Sequence, residues 1–105
     1  MSEYLKFSDL AAEAPIPARG ILSQTLSDVA GVTLVLFAFA PGEELSEHTS
    51  ARPAIVHLLS GEADLSAGDD RFAGAAGTWF RMPAGMPHSI RARTAVQMAL
   101  YLLPR

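Results

Sequence analysis

A chain of 105 residues is long enough for one domain and too short for two. Half of its residues are hydrophobic and 18% are charged, which excludes intrinsic disorder, and eleven acids against eight bases leave no basic footprint for nucleic acid or for a membrane surface. Cysteine is absent, so disulfide frameworks, zinc-thiolate sites and cysteine nucleophiles are excluded as well.

The first ten residues carry Glu3, Lys6 and Asp9 and lack the apolar run of a signal peptide. The longest apolar run, 32–40, is too short to span a bilayer. The expectation is a soluble, cytoplasmic protein with no membrane contact. Residues 8–14 read as a short helical piece, with Ser8 or Asp9 as its cap. Residues 21–26 alternate apolar with polar, as a half-buried strand does, and 28–31 read as a turn. Residues 32–39 are β-branched and aromatic and predict a strand. It is apolar on both faces, because Leu34, Leu36 and Ala38 alternate with Val35, Phe37 and Phe39. A strand dry on both sides sits inside a sandwich or against a second subunit, so a homodimer is expected.

Pro41-Gly42 stops that strand, and a polar stretch with Glu43, Glu44 and Glu47 runs on to Arg52-Pro53 and reads as a solvated loop. Residues 55–59 predict the next strand. Residues 62–66 and 71–73 flank Ala67-Gly68-Asp69-Asp70, a hairpin signal with glycine at the turn. A turn over 74–77, a strand over 78–82 and a tight loop over 83–87 follow, and strands over 88–93 and 96–103 complete the series. Short strands punctuated by Gly and Pro predict an all-β sandwich or barrel, one domain over 1–105, with a short N-terminal helical segment.

Three histidines carry the functional signal: His48, His57 and His88. Gly42, five residues and then His48 open a segment that closes at Gly61. Gly77, Pro83, Gly85 and His88 mark a second segment over 77–92. Together these spacings resemble the two signature motifs of the cupin superfamily. The second motif is matched at those four positions and departs at Ala92, where the family has asparagine. The first is matched at Gly42, His48 and Gly61, whereas Ser50 and Ala54 stand where a second histidine and a glutamate belong. The resemblance implies a jelly-roll β-barrel with a divalent transition metal inside it. Of the four metal ligands it implies, this chain supplies two, His48 and His88, so the ion would be held weakly. Metal-free binding of a small organic molecule is the alternative.

Strand parity bears on the rest of the site. If Ala54 faces the barrel, Val56 and Leu58 share its side, and His57 and Leu59 face away. A bulge between Pro53 and His57 would shift the register by one and turn His57 inward as a third ligand. The same parity sets His88, Ile90 and Ala92 against Ser89, Arg91 and Arg93. The expected pocket thus has Ser50, Ala54, Val56, Leu58, Met82, Ile90 and Ala92 around two imidazoles. Phe80 joins Met82 there, unless the strand turns over to present Trp79 and Arg81. Such a lining suits a small organic molecule better than a sugar phosphate. No phosphate loop or dinucleotide fingerprint occurs, so no organic cofactor is expected. His88 and Ser89, adjacent in a strand, face opposite ways and form no nucleophile–base pair.

Overall fold

A computed structural model describes residues 4–105. Among them a 3-10 turn, Leu10–Glu13, precedes nine strands: β1 (Ile21–Val29), β2 (Val32–Phe39), β3 (Glu44–His48), β4 (Ala54–Ser60), β5 (Ala63–Ala67), β6 (Asp70–Gly74), β7 (Trp79–Met82), β8 (His88–Ala92) and β9 (Val96–Leu102). All strand pairs are antiparallel. They form a five-stranded sheet in the order β1-β2-β9-β4-β7 and a four-stranded sheet in the order β3-β8-β5-β6. The fold is the expected all-β jelly-roll barrel.

Alternation decides what fills it. Val56 and Leu58 of β4, Met82 of β7 and Met98 of β9 point from one sheet into a core that meets Leu65 of β5 and Ile90 of β8 from the other. Leu58 is completely buried there, and truncating it to alanine is expected to cost about 2–5 kcal/mol. β4 keeps an unbroken register from Ala54 to His57 against β7 and from Ala54 to Leu58 against β9, so no bulge disturbs the parity of that stretch. Phe80 and Met82 face the core with it, while Trp79 is 54% exposed and Arg81 lies outside.

A second apolar layer lies on the outer face of the five-stranded sheet. Leu36, Ala38 and Ala99 are covered there by Ala14 and Leu10 of the N-terminal segment. Gln97 of β9 pins that segment: its Nε2 donates to the carbonyls of Ala11 (2.7 Å) and Ala14 (2.8 Å), and its Oε1 accepts from Ser60 Oγ (2.8 Å). Leu36 and Ala38 on the outer face of β2 are thereby buried within the chain, as Phe39 is on its inner face.

Three local expectations need correction. The helical piece over 8–14 is only the four-residue 3-10 turn, and Asp9 at its N-cap makes no side-chain capping bond. Ala14 precedes Pro15, whose ring disfavours helical geometry at the residue before it. The loop expected after Gly42 contains β3, a strand hidden because Leu45 is its one large apolar residue. β1 runs on to Val29 through a register shift between Thr25 and Ser27, and its turn is Ala30-Gly31. No helix among the described residues is long and apolar enough to cross a membrane.

Candidate functional site

β3 pairs with β8, and a slip in their register builds the site. Glu44 stands opposite Arg91 and Leu45 opposite Ile90; continued without interruption, that ladder would set Glu47 opposite His88. One extra residue is accommodated between Leu45 and His48, and His48 takes the place instead. Bulges re-aim side chains in this way, because a one-residue slip exchanges the two faces of a strand. The two imidazoles then lie with ring centroids 4.2 Å apart and planes tilted by 59°. His48 is exposed and His88 half-buried, which puts the pair at the mouth of the barrel.

Each ring is held by a backbone carbonyl two residues before it. His48 Nδ1 lies 2.9 Å from the oxygen of Ser46, and His88 Nδ1 lies 2.9 Å from that of Met86. A carbonyl only accepts, so Nδ1 is the protonated nitrogen in both rings. In the neutral imidazoles the lone pair therefore resides on Nε2. Each ring thus presents Nε2 as its acceptor.

The pair borders a small, partly open cavity of about 40 Å³. Phe37, Leu45, Val56, Leu65, Phe80, Ile90, Met98 and Leu100 form its walls, with Ser89 at the edge. Val56 and Ile90 were legible from parity. Ala54, Leu58, Met82 and Ala92 face the same interior but belong to the packed core rather than the cavity wall. Phe37, Leu45, Leu65, Met98 and Leu100 were missed. Leu45 lay in the unrecognised strand, and the others come from strands whose facing depends on pairing across the sheets.

Ser50 does not line the cavity; it ties the neighbouring loops together. Its carbonyl accepts from Gly85 N (2.8 Å), and its Oγ accepts from Arg52 N (3.2 Å). Gly85 makes this link at φ 82°, where an L side chain is strained. Arg52 anchors the same loop to the chain ends of three strands. Its guanidinium donates to the carbonyls of Gly31 (2.6 Å), Leu102 (3.0 Å) and Leu103 (3.0 Å) and to Thr33 Oγ1 (3.0 Å). Gly61, which closes the first motif, has φ 87°, and a Cβ there would stand 2.0 Å from the carbonyl oxygen of Ala95.

Among the described residues no carboxylate completes the pair. Glu43 accepts from Gly20 N (3.0 Å), Glu44 stands opposite Arg91, and Glu47 is exposed. His57 lies between Trp79 and Ala99 on the outer face of the five-stranded sheet and is not brought to His48 and His88. Among the described residues no three His, Asp or Glu side chains gather as a metal site.

Residues 35–104 match the family described as Cupin domain. The chain belongs to the cupin superfamily. Solved structures share the fold over most of the chain. A conserved protein of unknown function from Streptococcus pyogenes is 33% identical, with a TM-score of 0.85 over 99% of this chain and 91% of that one. A cupin superfamily protein from Desulfitobacterium hafniense is 26% identical, with a TM-score of 0.84 over 91% of this chain and 88% of that one. A structure from Thermus thermophilus, 21% identical with a TM-score of 0.84 over 96% of this chain and 99% of that one, shares the fold. No curated protein matches the chain. As a cupin it carries a reduced donor set: two imidazoles fall short of the three or more protein ligands that a tightly held ion takes.

Proposed function

We propose that this cupin binds a small organic molecule at the mouth of its barrel, with a divalent transition metal ion held weakly by His48 and His88. The observation that carries the reading is the matched pair of Nδ1–H donations to Ser46 and Met86. Metal-ligating histidines donate their second ring nitrogen in this manner, which fixes the tautomer and aims the ligating lone pair. A bound ion would supply open coordination positions and polarise an oxygen placed there. The chain itself orients the two Nε2 atoms, and its apolar wall keeps water from the remainder of the cavity. The incomplete donor set favours a second reading, in which the same cavity binds its ligand without metal.

The test is metal content after purification without affinity tag or chelator, followed by calorimetric titration with zinc. Binding in the micromolar range or weaker, lost in both His48→Ala and His88→Ala, supports the first reading. A protein that takes up no zinc but still binds a ligand among Phe37, Val56 and Phe80 supports the second.

A further inference from the structure

The outer face of the four-stranded sheet carries polar groups that the histidine pair does not use. Leu65 and Ile90 face the core, so their neighbours Asp64, Ser66, Ser89 and Arg91 face away from it. Ser66 stands opposite both Arg71 and Ser89, and Asp64 stands opposite both Ala73 and Arg91. Arg71, Ser89, Arg91 and Arg93 line one open groove of about 460 Å³, against about 40 Å³ beside the histidines. That volume is of the order that small-molecule sites occupy.

The chain balances the charge of this groove incompletely. Arg93 pairs with Asp64 at 2.6 Å, the only ion pair among the described residues. Glu44 lines the same groove opposite Arg91, yet no ion pair joins the two. Arg71 and Arg91 are both exposed and have no carboxylate partner among the described residues. Three cations thus meet two carboxylates, and the groove is locally positive on a chain whose net charge is -3. The serines add a donor. Ser66 Oγ and Ser89 Oγ lie 2.6 Å apart, so one hydroxyl donates to the other and one hydrogen is left over. Ser66 is only 4% exposed, whereas Ser89 is half-buried and borders the groove. Donation from Ser66 to Ser89 leaves the free hydrogen on the side where a ligand can accept it, and avoids burying an unused donor.

We infer that this groove binds a small organic molecule through an oxyanion group, a carboxylate or a phosphate monoester, held by Arg71 and Arg91 with a hydrogen bond from Ser89. Guanidinium forks match both groups, and Phe72 and Ala73 offer the ligand's short apolar body a surface beside them.

Butyrate, butyl phosphate and uncharged butyramide are titrated into the full chain without added metal. The buffer holds about 0.15 M salt, which screens attraction between exposed charges more than about 8 Å apart. The side-chain Nε–H signals of Arg71 and Arg91 and the amide signals of Ser66 and Ser89 are the readout. At least one anion is expected to shift them saturably, with millimolar affinity, while butyramide leaves them unmoved. The tighter of the two anions identifies the group. Arg71→Gln and Arg91→Gln are each expected to weaken that binding roughly three- to fivefold. Glu44→Gln, which removes the unpaired carboxylate, is expected to tighten it about twofold. Both arginines are exposed and outside the ion pair, so neither substitution should disturb folding, which a thermal melt verifies. The inference is overturned if neither anion gives a saturable shift, if butyramide binds as tightly, or if both arginine variants bind as the unmodified protein does. Binding lost in His48→Ala but kept in the arginine variants would place the anion at the barrel mouth and overturn it as well.

Discussion

His48 and His88 face each other across β3 and β8, although strict alternation from Leu45 would turn His48 away from the barrel. The carbonyl of Ser46, within the slipped stretch, is also the acceptor for His48 Nδ1, so one irregularity both aims the ring and fixes its tautomer. Long-range nitrogen–proton correlation spectra are expected to show the Nδ1–H form for both neutral rings. An Nε2–H pattern at either would remove one of the two acceptors and contradict the site geometry.

Ala54 faces the barrel interior, 2% exposed and opposite Met82 and Leu102. A glutamate there buries a carboxylate. Ser50→His with Ala54→Glu is therefore expected to lose about 2 kcal/mol or more of stability without metal. Zinc or manganese should restore it, with Tm rising as metal concentration rises. A melting transition indifferent to metal would show that these four positions do not converge.

Ala30 has φ 57° and Gly31 φ 79°, so the β1–β2 hairpin turns through two left-handed residues, one of which bears a Cβ. That conformation disfavours alanine, whereas Asn-Gly is the preferred pair for such a turn. Ala30→Asn is expected to raise stability by about 0.5–1 kcal/mol in urea unfolding without altering zinc binding. A fall in stability would mean that the turn is held by something other than local backbone preference.

Arg52 and Arg93 predict opposite outcomes. Arg52 makes four side-chain bonds that join the loop after β3 to the β1–β2 turn and the end of β9. Lysine cannot reproduce that fork, so Arg52→Lys is expected to lose about 2 kcal/mol, close to the loss in Arg52→Ala. Arg93 pairs with Asp64 at 2.6 Å, but both side chains are about half exposed. Arg93→Ala is expected to cost less than about 1 kcal/mol. Equal effects of Arg52→Ala and Arg93→Ala in thermal melts would refute this distinction.

The barrel was legible in the sequence wherever one face of a strand is dry. Val56 and Leu58 alternate with His57 and Leu59, and Ile90 and Ala92 with Ser89 and Arg91, so the hydrophobic pattern itself separates the two faces. The resemblance at Gly77, Pro83, Gly85 and His88 pointed to the cupin superfamily, to which the chain belongs. Three features lay beyond such reading. β3 has too few apolar residues to announce itself, and its slip depends on pairing with β8. The covering of β2 depends on Gln97, 83 residues away from Ala14. Most of the cavity wall comes from strands distant in the chain, whose meeting no local pattern encodes.

β9 is the centre of the five-stranded sheet, with β1 and β2 on one side and β4 and β7 on the other. It also follows all four of them in chain order. During synthesis the β1–β2 hairpin and the β4–β7 pair must therefore wait, each with an open edge, until β9 leaves the ribosome and zips them together. The protein carries its aggregation hazard in that interval, on the unpaired edges of β2 and β4. Emergence of β9, rather than formation of any early hairpin, is the event that commits the barrel to close.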